Sequence, residues 1–351
     1  MTSVSVTWVG GQTLTASFTV TDPAPTPPAN PYPLVTLASI QQSPTEMLNL
    51  SVARLAAKSV VKLPAGTFWF NGDFRMGAGN YGLFASNLMG FDGTLDSFGQ
   101  NLSIVRPVAN QSTYVTPTTG VNGKWLARFD GASWNRNWTL RGTPQNTSLY
   151  GALGHNYNGL VWYHDLNSVT VHVGLEEIPG TASAPPDETF YGSHYAGTGG
   201  RVWNSWTDRG TISNSASGWA TNSGQTNVTY YNCRANGMMQ GAGWAFSIGS
   251  GMTLTDCVGT NNKRDVNFEN MTGALDVTRF SFTSAMPVCI TNATGYADPV
   301  TINDWISTAA WLTVRVYTKG VGGVGDNQQR NPAGTGPVRG IISNKLLNFT
   351  T

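Results

Sequence analysis

The chain has 351 residues and a net charge of +1, with 41 glycines and only 11% charged residues, where an ordinary soluble domain carries about 25%. Its 40% hydrophobic and 11% aromatic shares exclude a disordered polymer, and the lack of any basic run excludes nucleic acid and charge-driven membrane binding as expected partners. No apolar stretch approaches the roughly 18 residues that span a bilayer, and Cys233, Cys257 and Cys289, without CxxC spacing, give no disulfide framework.

Residues 1–21 begin with Val4, Val6 and Trp8, break at Gly10 and Gly11, and resume with Leu14, Ala16, Phe18 and Val20. This period of two predicts a β-hairpin, a small N-terminal β element. The opening Met1-Thr2-Ser3-Val4 lacks a basic segment followed by an apolar one, so no secretion signal is expected. Residues 22–35 carry Pro23, Pro25, Pro27, Pro28, Pro31 and Pro33. Such a segment is stiff and extended, and is expected to hold the hairpin away from the main body. At 43–58 one helix is predicted. Ser43 and Glu46 have capping-box spacing, Pro44 suits the first helical position, and Met47, Leu48, Val52, Leu55 and Ala56 supply an apolar side.

From Val60 onward, short β-branched and aromatic runs alternate with Gly, Asn, Ser and Thr. The runs repeat. Trp219 recurs as Trp244 and Cys233 as Cys257, while Leu254, Val277 and Val300 continue the series at intervals of 22–25 residues. A period of this length with two or three short strands per repeat predicts a solenoid. Leucine-rich and helical repeats are excluded by the missing Leu/Asn consensus and by the strand composition. The expected fold is therefore all-β: a right-handed single-stranded parallel β-helix over residues 36–318, of about ten coils with rungs about 4.8 Å apart. The helix at 43–58 would cover its open end. Trp219 and Trp244 are expected to form a core ladder, with the cysteines as inward-facing rungs and no chemistry of their own. The tail 319–351 is expected to wrap or trimerise.

A capping helix followed by Val60-Val61-Lys62-Leu63-Pro64-Ala65-Gly66-Thr67-Phe68 resembles the opening of pectate-lyase-like bacteriophage tail proteins, which include tailspikes and minor tail proteins. Tyr81-Gly82-Leu83-Phe84 and Asn227-Val228-Thr229 fit the same pattern, and the resemblance covers residues 40 to about 305. It implies a homotrimeric virion protein, attached to other virion proteins through the N-terminal element and directed at a host cell-surface polysaccharide. Members bind such glycans or cut them. The expected function is recognition with little or no catalysis. A glycoside hydrolase or polysaccharide lyase on the same scaffold is the alternative, and a purely structural virion component is a second one. No cofactor or metal is expected, except Ca²⁺ should the chemistry be a lyase's.

With 19 carboxylates in the chain, clusters stand out. Asp265 and Glu269, beside Lys263 and Arg264, alternate with Val266 and Phe268, which predicts that both carboxylates project to solvent. Paired outward carboxylates near a base suit acid/base chemistry on a sugar. Asp208 and Arg209 form a second candidate, within one to three coils of Arg234 and Asp265. The expected catalytic set is thus Asp265, Glu269 and Asp208. The expected glycan-binding set is Trp203, Trp206, Arg209, Arg234 and Arg264, since exposed rings stack on sugar faces. Glu176 and Glu177 face Asp187 and Glu188 across a Pro/Gly/Ala loop at 179–186; adjacent carboxylates alternate sides in an extended chain, which weakens the pairing, and a long protruding loop is the expected explanation. The four histidines show no zinc spacing.

Overall fold

The computed structural model describes residues 2–7, 13–18, 25–70, 74–76, 87–108, 127–129, 132–141, 162–167, 170–178, 190–191, 193–208, 215–221, 225–238, 242–247, 249–262, 264–269, 275–278, 281–282, 288–291, 300–303, 306–307, 314–317 and 340–341. Within them the protein is all-β. Thr2–Thr7 and Thr13–Phe18 pair antiparallel, as the N-terminal alternation predicts. The other strands form three parallel sheets, called I, II and III below, of 11, 9 and 12 strands. The chain visits them in rotation. Ser59–Lys62 lies in sheet I, Gly66–Phe70 in sheet II and Phe74–Met76 in sheet III, and the cycle restarts with Leu88–Asp92.

Short turns set the register. Between sheets I and II the chain bends at one left-handed residue, which is Asn137, Asn204, Asn232 or Asp256 (φ 57°, 49°, 49° and 55°) or Gly174 (φ 65°). Asn, Asp and Gly tolerate this conformation at low cost. The following residue, Trp138, Leu175, Ser205, Cys233 or Cys257, is buried. A three-residue strand of sheet II then starts at the same point in each of these five passes. Turns also bond to one another: Asn232 Nδ2 donates to Asn204 Oδ1 at 2.8 Å.

The expected ladders are present. Trp219 and Trp244 are register partners, fully buried, with centroids 6.5 Å apart and planes 23° off parallel. Cys233 and Cys257 occupy equivalent turns as free thiols, donating to Val202 O (3.1 Å) and Tyr230 O (3.7 Å). Burial pushes the Cys257 thiol well above its ordinary range. Register pairs Tyr230 with Leu254, and Leu254 with Val277. The expected period of 22–25 residues holds only past Trp219, because longer loops separate the earlier strands: register partners stand 44 residues apart for Asp92 and Arg136, 37 for Trp134 and Val171, 30 for Val171 and Arg201 and 28 for Arg201 and Thr229. One later spacing also changes. Val277 pairs with Ile302, not Val300, because the intervening pass is longer.

Two N-terminal expectations also change. The helix is Leu48–Val52, shorter than 43–58. Its N-cap is Met47, so Ser43 lies four residues before the cap position, and the Glu46 carboxylate is engaged elsewhere. That carboxylate accepts two bonds from Arg54 at 2.7 Å and one each from Ser51 Oγ (2.7 Å) and Gln42 N (3.1 Å). Leu48, Val52 and Leu55 still pack on Val61, Leu63 and Phe70, so the helix closes one end of the core. The proline-rich segment is docked over its second half. Trp134 Nε1 donates to Pro28 O (3.3 Å), Tyr32 Oη to Ala132 O (3.1 Å) and Val60 N to Pro33 O (2.9 Å). No helix among the described residues is long and apolar enough to cross a membrane. The tail 319–351, except Gly340–Ile341, lies outside the described residues.

Candidate functional site

Sheet II presents the residues that carry chemistry. In its three-residue strands the middle position points inward, and Val105, Leu140, Glu177, Thr207, Ala235 and Gly259 are all buried there. The flanking positions therefore face out. One outward file runs Thr139, Glu176, Trp206, Arg234 along successive rungs. The other includes Asp208, Asn236 and Thr260. Thr139 is buried, and the other members of both files are half-buried or exposed.

Within this strip the side chains are positioned by one another. The Arg234 guanidinium lies over the Trp206 ring, 5.5 Å from its centroid. Asn236 Nδ2 donates to Asp208 Oδ1 at 3.1 Å, while Thr260 Oγ1 and Asn261 Nδ2 each donate to Asn236 Oδ1 at 2.9 Å. This chain of bonds fixes the Asp208 carboxylate. One rung before Trp206, Glu176 Oε2 accepts from Thr139 Oγ1 at 2.6 Å. Glu176 and Asp208 are diagonal neighbours on adjacent strands, so their α-carbons are about 8 Å apart.

Of the predicted site residues, sheet II brings together Trp206, Asp208 and Arg234. Asp265 is not among them. It is fully buried, and Asn262 Nδ2 donates to its Oδ1 at 2.7 Å. The cause is the absence of two side chains: a Cβ on Gly259 would stand 2.1 Å from Asp265 Oδ1, and one on Gly243 would stand 2.9 Å from Asp265 O. The carboxyl fills that space instead of reaching solvent, so Asp265 does not converge with Asp208. Trp203 is also corrected. It is 8% exposed, packed with Trp134, Val171 and Val173, and edge-on to Tyr231 at 6.2 Å. Arg209 lies outside the described residues, as do the side chains of Arg264 and Glu269, whose backbone is in the strand Arg264–Glu269. The acidic pair Glu176 and Glu177 sits on the strand Glu176–Ile178, with Glu177 inward and Glu176 outward, the alternation its spacing predicts, while the loop 179–186 and Asp187 and Glu188 lie outside the described residues.

Glu176 was readable from sequence. It stands two residues after the left-handed Gly174, as Trp206 does after Asn204 and Arg234 after Asn232. Aligning the turns, and not the apolar runs, assigns it to the outward file. Among the described residues no group of three or more His, Cys, Asp or Glu side chains is arranged to hold a metal ion.

No family model matches the chain. No curated protein matches it. Among solved structures, the "putative glycosyl hydrolase from Parabacteroides merdae" is similar at 9% identity and a TM-score of 0.24, over 81% of this chain and 97% of that one. A likeness at that level carries no argument about activity.

Proposed function

We propose that the protein is a glycan-recognition protein of the bacteriophage tail or tailspike type, and that the three sheets wind as a right-handed parallel β-helix. The observation that carries the reading is the outward strip of sheet II. An aromatic ring braced by a guanidinium (Trp206, Arg234) stands between hydrogen-bonded polar groups (Glu176, Asp208, Asn236) on a rigid surface. A sugar offers an apolar ring face and a rim of hydroxyls, and this surface offers a partner to each. Strands hold the groups at fixed spacing, which spares the ordering cost of a flexible site. The resemblance in the opening coil adds the virion setting, attachment through the N-terminal element and a homotrimeric state.

Cleavage is the second reading, and Glu176 with Asp208 favours it. Both are carboxyl groups on one outward strip, the residue type that serves as general acid and as base or nucleophile on a glycosidic bond. The test is to incubate the purified chain with bacterial surface polysaccharides, following retention, chain length and unsaturated ends. Retention without shortening is the expected result, weakened at least tenfold by Trp206→Ala. Shortening with new reducing ends, abolished by Glu176→Gln and Asp208→Asn, replaces recognition with hydrolysis. Unsaturated ends replace it with a lyase. Neither retention nor shortening removes the glycan reading.

A further inference from the structure

The chain crosses the corner between sheets I and II in two ways. Five passes cross it on a single left-handed residue, whereas residues 93–102, between the strands Leu88–Asp92 and Ser103–Pro107, form a hairpin there. The hairpin is held by its own bonds. Leu95 and Asn101 form an antiparallel bridge, Leu102 N donates to Thr94 O at 2.8 Å, and Asp96 N donates to Gln100 O at 2.9 Å. At the tip, Asp96 Oδ1 accepts from both Phe98 N and Gln100 N, each at 2.8 Å. Two further bonds anchor the base to the body: Thr94 Oγ1 donates to Leu63 O at 2.8 Å, and Asn101 Nδ2 to Gly174 O at 3.0 Å. Gly174 opens the turn into Glu176, so the base of the hairpin lies against the edge of the sheet II strip, one rung before Trp206.

Phe98 stands at the tip with 87% of its surface exposed, and Leu95 and Leu102 are each 39% exposed. So exposed a ring adds nothing to the core, and the five short passes turn the same corner without an insertion. A large apolar ring presented on a bonded hairpin marks a contact surface. Its chemistry selects the partner. A phenyl side chain offers about 150–250 Å², well below the about 800 Å² that each partner of a stable protein interface buries, but enough for the apolar face of one sugar ring. Ser97 and Gln100, both exposed, supply hydroxyl and amide groups beside it. The only charged residue of the segment, Asp96, is engaged by backbone N–H groups, and the segment contains no Lys or Arg to draw it to a membrane surface.

We infer that the hairpin is a second sugar contact, in which Phe98 stacks on the apolar face of one unit and Ser97 and Gln100 meet its hydroxyls, while the Trp206 strip takes another unit of the same chain. The inference rests on the glycan reading above and specifies the ligand as a polymer of several sugars held at two points. Two contacts on one scaffold reinforce each other, because binding at one raises the effective concentration at the other. A single sugar unit gains nothing from the second contact.

The test is binding of the full chain to lipopolysaccharide O-chains, capsular polysaccharide and wall polysaccharide, with the polymer that binds then compared at full length and as single repeat units released by partial hydrolysis. Phe98→Ala, at an exposed position, should weaken full-length binding about tenfold and single-unit binding by less than about twofold. Phe98→Tyr keeps a ring and should keep full-length binding. Trp206→Ala should weaken both. Full-length binding unchanged in Phe98→Ala but lost in Trp206→Ala would overturn the second contact while the glycan reading stood. Equal weakening of full-length chains and single units by Phe98→Ala would place both rings on one sugar and overturn it as well. A smaller assembly in sedimentation of Phe98→Ala, with glycan binding unchanged, would assign the hairpin to a contact between copies and overturn it too. If none of the three polymers is bound, the glycan reading fails and the inference falls with it.

Discussion

The outer faces of sheets I and II use the same side-chain pair for opposite ends. On sheet I the Arg136 guanidinium lies 5.4 Å from the Trp134 ring centroid, and on sheet II Arg234 lies 5.5 Å from Trp206. On sheet I the pair is closed off. Asp92 accepts both Arg136 bonds and also faces Lys62 at 3.4 Å, while Trp134 is bonded to Pro28 and shares its cluster with Trp203 and Tyr32. On sheet II no comparable cover is seen among the described residues, and Trp206 remains half-buried beside an exposed Arg234. A Trp–Arg pair thus signals neither core nor site by itself. What decides is whether a carboxylate neutralises the arginine and a segment of chain covers the ring.

The largest expected effect lies under the covered face. Gly90 has φ of 146°, and a Cβ there would stand 1.9 Å from Trp134 O. Gly90→Ala must push apart two strands of sheet I, and should lower stability by more than about 3 kcal/mol, read as the midpoint of chemical unfolding. Asp92→Ala comes next. Its side chain is 4% exposed between Lys62 and Arg136. Removing it leaves two cations facing each other and should cost about 3 kcal/mol, near the low end for a buried pair because both partners reach solvent. If either substitution is silent, sheet I is not the closed face described.

The tryptophans sharpen the contrast. Trp203→Ala should destabilise by about 3 kcal/mol, since a buried ring and its packing are lost, and should leave glycan retention unchanged. Trp206→Ala should shift stability by under about 1 kcal/mol and reduce retention at least tenfold. The opposite pattern would exchange the roles of the two faces.

Local signals made part of this legible. The 22–25 residue spacing past Trp219, the recurrence of Trp219 as Trp244 and of Cys233 as Cys257, and an Asn, Asp or Gly two residues before five strands of sheet II are features of a few adjacent residues and appear in the register. Trp206, Asp208 and Arg234 were also accessible, because outward positions follow from strand alternation. What failed depends on distant residues. Asp265 faces inward because Gly243 and Gly259 lack side chains, and Trp203 is covered by a cluster that includes Tyr32, more than a hundred positions away. No window of sequence around either residue contains that information.

The smallest effect is expected at the docked proline-rich segment. Tyr32 Oη donates to Ala132 O at 3.1 Å, and its ring packs on the sheet I cluster, where burial raises the phenol above its ordinary range. Tyr32→Phe keeps the ring and removes one half-buried hydrogen bond, so a loss of about 1 kcal/mol is expected. Tyr32→Ala removes the cover as well, and should increase quenching of tryptophan fluorescence by added iodide as Trp134 and Trp203 become accessible. Quenching that stays unchanged in Tyr32→Ala would mean that the tryptophans of sheet I are shielded by something other than this segment. The difference between the two faces would then have to be sought in the strands themselves.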